Sequence, residues 1–125
     1  MENQKETMFI TGIAGFIGFH LASLLIKKEY YVIGCDNFNH YYSPDLKKMR
    51  ADKLISQGAK IINEDIQNLS SVPKNVTHII HLAAQAGVRY SLTHPKPYID
   101  SNLNGFLNIL ELCKDRPEIK LIFAS

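Results

Sequence analysis

Only two cysteines, Cys35 and Cys113, occur among the 125 residues. That is too few for a disulfide framework, and they lack the paired spacing of a metal site. Both therefore read as buried free thiols in a reducing compartment, the cytoplasm by default. Basic runs are equally scarce: none exceeds two residues (Lys27-Lys28, Lys47-Lys48), and the formal net charge is only +2. This excludes a nucleic-acid binder, which needs clustered positive charge, and points to a small-molecule partner. The leader MENQKE has two acids and one base, not the positive region of a signal peptide. From Thr7 to Ile26 there is no Asp, Glu, Lys or Arg, a length that invites a membrane span. Gly12, Gly15 and Gly18 interrupt it, and a change of period splits it into a strand and a helix, so neither membrane nor export is expected. No GK[ST] triplet follows these glycines, which excludes a P-loop nucleotide hydrolase.

What is present is one modest core's worth of apolar residues, 46% of the chain, enough for a single domain over residues 1–125. Met8-Phe9-Ile10 is a short apolar run of the kind found in buried strands, and it stops at Thr11-Gly12. Ile17, Leu21, Leu24 and Leu25 then recur on one face of a helix. Tyr30 to Cys35 reads as a second strand ending on Asp36. Ser43-Pro44-Asp45 has the form of an N-cap, a first-turn proline and an early acid, opening a helix that Gly58 closes. Lys60-Ile61-Ile62 is a third strand, leading to Glu64-Asp65. Val76 to His81 is a fourth, which opens into the small-residue loop from Ala83 to Gly87. A long helix from near Pro95 places Ile99, Leu103, Phe106, Leu110 and Cys113 on its expected buried face. Ile119 to Phe123 is the fifth strand.

Strands alternating with helices predict an α/β fold: a Rossmann-type doubly wound parallel sheet of about five strands, with right-handed crossovers. The chain stops at Ser125, near the end of the fifth strand, whereas domain boundaries fall in exposed linkers. A truncated domain is therefore expected.

The chemistry is expected at the strand ends. Thr11-Gly12-Ile13-Ala14-Gly15-Phe16-Ile17-Gly18 sits at a strand-to-helix turn, where free backbone N–H groups and the positive helix end attract a pyrophosphate. Glycine suits Gly12 for the turn, Gly15 for phosphate approach and Gly18 for helix–strand packing; a glycine-rich turn without a ligand is the plainer reading. Asp36 can accept the hydroxyls of an adenosine ribose, and it would repel a 2′-phosphate, with no Lys or Arg from Asn37 to Ser43 to compensate. NAD is thus favoured over NADP. Asp65 suits either an adenine amino group, with Ile66 against the ring, or a helix cap ahead of Leu69. Ala83 and Ala84 either let a cofactor pass or simply make a tight turn. His78 and His81 read as satisfied core histidines.

TGIAGFIG, CDNFNHYY, EDI, HLAAQAGVRYS, SNLNGFLNILE and LIFAS, in that order, resemble the extended short-chain dehydrogenase/reductase family of NAD-dependent epimerases and dehydratases. Within it, HLAAQAGVRYS is most similar to nucleotide-sugar epimerases of the UDP-glucuronate type. The resemblance covers nearly the whole chain. It implies that Gly12, Gly15, Phe16, Ile17 and Gly18 cradle the pyrophosphate of NAD, and that Asp36 and Asn37 hold the adenosine ribose with Asn39 nearby. It further implies that Asp65 and Ile66 meet the adenine, that Leu82, Ala83 and Ala84 border both riboses, and that Asn102 supports the site. Arg89 falls on the sugar-facing side, where a guanidinium suits a substrate carboxylate or phosphate; a surface ion pair is the other reading.

Enzymes of this kind oxidise C4 of a nucleotide sugar transiently and return the hydride to the other face, using a tyrosine helped by a lysine four residues on. The six tyrosines are Tyr30, Tyr31, Tyr41, Tyr42, Tyr90 and Tyr98, and none is followed by lysine at that spacing. The resemblance therefore implies a cofactor half without catalytic residues, inactive alone. Three other functions fit parts of the pattern. A nucleotide-sugar dehydratase or decarboxylase shares the cofactor half. A noncatalytic nucleotide-binding module could form homo-oligomers through an exposed sheet edge. A methyltransferase fits less well, because the three glycines are spaced for a pyrophosphate.

Overall fold

The computed structural model describes residues 6–38, 44–83 and 92–124. Strand β1 (Thr7–Thr11) is followed by α1 (Phe16–Lys27), β2 (Tyr31–Asp36), α2 (Pro44–Ser56) and β3 (Lys60–Asn63). A 3₁₀ turn (Ile66–Asn68) precedes β4 (His78–His81). Helix α3 (Pro95–Ile99) then runs through a π-helical segment (Asp100–Asn104) into α4 (Gly105–Asp115), and β5 (Lys120–Phe123) completes the sheet.

All pairings are parallel, and the strand order is β3-β2-β1-β4-β5. The chain builds outward from β1 to β3, then returns to the other side of β1. That reversal opens a crevice at the carboxyl ends of β1 and β4, where ligands bind in open α/β sheets. The register brings Thr11, Cys35, His81 and Phe123 to that edge.

Both faces of the sheet are covered, and the period of two sorts the side chains between them. Met8, Ile10, Val32 and Ile80 join Ile13, Ala22, Leu54 and Ala59 beneath α1 and α2. Phe9, Ile33, Cys35 and Ile79 face the other way, with Ile66, Leu69, Val72, Val76, Ile109, Leu112 and Ile119. Adjacent residues such as Phe9 and Ile10 thus feed different cores, which explains why the strands read as continuous apolar runs. Helix α2 stops as its sequence predicts. Gly58 takes φ +113°, in the left-handed region, and the Ala59 N–H donates to the Leu54 carbonyl at 3.0 Å.

Two helix faces differ from expectation. In α1 the buried residues are Gly18 and Ala22; Leu21 and Leu25 pack beside them, but Ile17 and Leu24 are exposed. Here the contact line is set by the smallest residues, because they let the helix approach the sheet. In α4 the buried line is Gly105, Ile109 and Leu112. Of the expected face, Ile99, Leu103 and Leu110 are exposed, while Phe106 and Cys113 are half-buried. The buried line of α4 lies one residue before the expected one, and Ile99, ahead of the π segment, is already on the exposed side. Among the described residues, no helix is long and apolar enough to cross a membrane.

Candidate functional site

The glycine turn is built by steric exclusion. The Gly12 N–H donates to the Cys35 carbonyl at 2.8 Å, with Ile13 sharing the same acceptor at 3.2 Å. Gly12 has φ +70°, and a Cβ there would stand 3.0 Å from both Cα and N of Ala83. Any side chain would therefore push β1 and the end of β4 apart. Gly18 is needed for a different reason, since a Cβ would overlap the Gly12 carbonyl oxygen. Gly15 is the N-cap of α1 and donates to the Gly12 carbonyl at 3.0 Å.

Phe16 and Ile17 open the helix with side chains 67% and 64% exposed. What they and Gly18 offer the turn is backbone N–H groups, which have no partner within a helix's first turn. No side chain caps α1, and no acid stands in its first turn. The positive end of the helix thus meets no negative charge from its own first turn.

Asp36, at the end of β2, is buried and already shared. Oδ2 accepts the Ala14 N–H at 3.1 Å. Oδ1 accepts the Phe38 N–H at 2.9 Å and the Lys47 ammonium at 3.1 Å. Lys47 is buried with it, so this ion pair is shielded from solvent. One turn on, Arg50 donates to the Ala14 carbonyl at 3.3 Å. Helix α2 is thus tied to the glycine turn by two cations. Neither cation is expected from the stretch Asn37 to Ser43, which holds no Lys or Arg; the helix brings Lys47 back to the carboxylate. The available signal was the helical spacing of Lys47 and Arg50 behind an early proline.

Asn37 donates to Asp65 Oδ2 at 3.0 Å, which joins the ends of β2 and β3. Asp65 also caps the 3₁₀ turn, accepting the Gln67 N–H at 3.1 Å. Its capping role is therefore real, and it coexists with a place at the ligand edge. Ile66 is buried in the core, pressed so closely on Gly105 that a Cβ there would overlap it. Asn108 of α4, also missed from sequence, donates to the carbonyls of Ile66 and of Leu69, the latter at 2.8 Å. An amide in mid-helix, where it lowers helix propensity, is the clue that was there to read.

The β4 end is organised by Thr11. Its Oγ1 accepts the N–H groups of Leu82 and Ala83, both at 3.0 Å, and lies 2.8 Å from His81 Nδ1. His81 is buried and stacked on Phe106, with ring centroids 5.3 Å apart. Burial lowers its pKa. A cleft of about 230 Å³ lies beside it, lined by His81, Leu82, Ala83, Asn102, Phe106 and Phe123. Ala83 links this cleft to the glycine turn, because it both lines the one and abuts Gly12 in the other. His78, expected like His81 to be satisfied, sits 2.8 Å from Thr77 Oγ1. Asn39, Ala84 and Arg89 lie outside the described residues.

Cys35 is a buried thiol whose pKa is pushed up to about 12, mainly by burial and then by the Asp36 and Asp65 carboxylates. It stays protonated; of the two cysteines expected to be buried free thiols, both are free, Cys35 is buried and Cys113 is only half-buried. Among the described residues no group of three or more His, Cys, Asp or Glu is placed to hold a metal ion.

Residues 9–125 match the family model described as GDP-mannose 4,6 dehydratase. The chain is 43% identical over 129 residues to UDP-glucuronate 4-epimerase 4 of Arabidopsis thaliana, covering 98% of this chain and 30% of that protein. Solved structures with the same fold include the UDP-N-acetylglucosamine 4-epimerase of Methanobrevibacter ruminantium M1 in complex with UDP-N-acetylmuramic acid. That one has a TM-score of 0.79 and 27% identity, over 98% of this chain and 38% of its own. The UDP-glucose 4-epimerase of Bifidobacterium longum in complex with NAD+ and UDP has a TM-score of 0.75 and 29% identity, over 95% and 36%. The chain therefore spans about a third of the length of the proteins it resembles.

Proposed function

The chain belongs to the GDP-mannose 4,6-dehydratase family of NAD-dependent epimerases and dehydratases, and we propose that it is the NAD-binding portion of a UDP-glucuronate 4-epimerase. The observation that carries this reading is the glycine turn closed against Ala83, with Asp36 at the next strand end, at the point where strand order reverses. Bound NAD would supply a hydride acceptor for C4 of the sugar. The residues present fit it. A Cβ at Gly12 would meet the backbone of Ala83, α1 has no side-chain cap, and Asp36 ends the strand next to β1, which supports a ribose there.

In this reading Phe16, Ile17 and Gly18 hold the pyrophosphate through first-turn N–H groups, while Gly12 and Gly15, whose own N–H groups are spent on the Cys35 and Gly12 carbonyls, let it approach the backbone. Asp36 and Lys47 act on the adenosine ribose as a pair. Oδ1 already accepts two hydrogen bonds, so the pair offers one free acceptor site on Oδ2 and the remaining ammonium protons, a match for a diol. Asn37, Asn39, Asp65 and Ile66 border the adenosine. Leu82, Ala83, Ala84 and Asn102 border the path toward the reacting end. Arg89 takes the sugar carboxylate or phosphate, where a planar fork of donors binds bidentately.

We propose further that residues 1–125 form one cofactor-binding unit, that the protein works in the cytoplasm, and that this chain alone does not epimerise. The support for inactivity is the absence of a tyrosine with a lysine four residues on. Incubation with NAD and UDP-glucuronate, followed by chromatography, tests the reading. NAD retained without UDP-galacturonate is expected; formation of that product would overturn the claim of inactivity. A dehydratase is the second reading, favoured by the description of the matching family model. A noncatalytic module that oligomerises through β5, an edge strand with exposed Ile122 and Phe123, is the third.

A further inference from the structure

Counting protons at Thr11 identifies a role for His81. A threonine hydroxyl has two lone pairs and one proton. Both lone pairs are engaged by the N–H groups of Leu82 and Ala83, each at 3.0 Å. Its remaining neighbour is His81 Nδ1 at 2.8 Å, so the hydroxyl must be the donor in that contact and Nδ1 the acceptor. An acceptor nitrogen carries no proton, which fixes the ring as the neutral form with its hydrogen on Nε2. We propose that His81 is a positioning residue of the cofactor site, drawing the Thr11 proton to itself so that both lone pairs of Thr11 hold the Leu82 and Ala83 backbone against Gly12.

The surroundings suit that role. Among the described residues the ring is faced by Thr11 from β1, by Phe106 from α4 and, across the strand register, by Phe123 of β5. None of these is charged, and burial alone lowers the His81 pKa. Protonation at Nδ1 would set two hydrogens between Nδ1 and Oγ1. The hydroxyl would have to turn, and one of the two N–H groups would lose Oγ1: Leu82 would keep only its longer bond to the Thr11 carbonyl at 3.3 Å, whereas Ala83 would lose its acceptor. The segment that abuts Gly12, and on which the pyrophosphate turn closes, would loosen.

The inference rests on the NAD-binding reading for its functional consequence but not for its geometry, so the test has two readouts. The first is NAD affinity between about pH 5 and 8, a range that brackets the ordinary histidine pKa. The second is hydrogen exchange at the Leu82 and Ala83 amides without cofactor. His81→Phe keeps a flat ring against Phe106 and deletes the acceptor. His81→Asn returns an acceptor near the place of Nδ1. For His81→Phe we expect exchange to quicken, most at Ala83 because Leu82 keeps the Thr11 carbonyl, and NAD to bind roughly tenfold more weakly, the loss of about one hydrogen bond. His81→Asn should recover to within about threefold. Wild-type affinity should fall below about pH 6.5, and the His81→Phe affinity should not.

Unchanged exchange and affinity in His81→Phe would overturn the proposal. If that variant does not fold, ¹⁵N NMR of the His81 ring in the wild-type chain decides instead, and a protonated Nδ1 at neutral pH refutes it. Should the wild-type chain fail to bind NAD, the cofactor reading falls. The exchange result still decides whether His81 holds Thr11.

Discussion

At Asp36 one carboxylate serves three donors from separate parts of the chain: Ala14 in the glycine turn, Phe38 just past β2, and Lys47 in α2. Removing the cation leaves a buried charge supported only by two backbone N–H groups, and breaking such a pair is costly. Lys47→Met is expected to destabilise the fold by about 3 kcal/mol, measurable by urea unfolding. A loss below about 0.5 kcal/mol would show the pair to behave like a surface salt bridge. His81 gives a second residue-scale prediction. Its folded pKa lies below the unfolded value of 6.5, so the unfolded chain binds more protons in acid. The stabilisation from neutral His81 is complete above about pH 6.5 and is lost as pH falls through the folded pKa. Asp100 and Glu118, whose pKa values are lowered by Lys96 and Arg116, lose their contributions only below about pH 4. Thermal unfolding should therefore show a separate decline starting near pH 6.5 that His81→Phe abolishes. At this scale the turn positions of Gly12 and Gly18 and the strand-end position of Asp36 are legible in the sequence, because they answer to local backbone rules. Lys47, Asn108 and the donor role of Thr11 were not legible, since each depends on which distant segment it meets.

Helix α4 shows where reasoning by period fails. The strands were readable because β1, β2 and β4 are short, buried on both sides and bounded by turn residues. The helix after Pro95 was placed correctly but rotated. A regular count chose Leu110, whereas Ile109 is fully buried and Leu110 is 42% exposed. The offset is already present at Ile99, ahead of the π segment, and the small Gly105 against Ile66 marks the true contact line. Ile109→Ala should cost about 2–5 kcal/mol, the usual penalty for a core isoleucine. Leu110→Ala should cost less than about 1 kcal/mol. Equal losses in paired chemical denaturation curves would place the buried line where the sequence count had it. Helix α1 makes the same point with small residues: Gly18 and Ala22, not Ile17 and Leu24, mark its contact with the sheet.

The whole molecule combines two cores on a five-stranded parallel sheet with a ligand edge assembled from β1, β2 and β4. That architecture was predictable from alternating strands and helices, and the family from motifs in fixed order. The proteins it resembles are about three times longer, so activity toward a sugar is a property to be tested and binding of the cofactor is the nearer claim. Calorimetric titration of the chain with NAD tests that claim most directly, with NADP and S-adenosylmethionine as controls and Asp36→Ala beside the wild type. Saturable binding of NAD, at least tenfold tighter than NADP and weakened at least tenfold in Asp36→Ala, is the predicted result. Folded protein that binds none of the three, or binds NAD equally well without Asp36, would contradict the account.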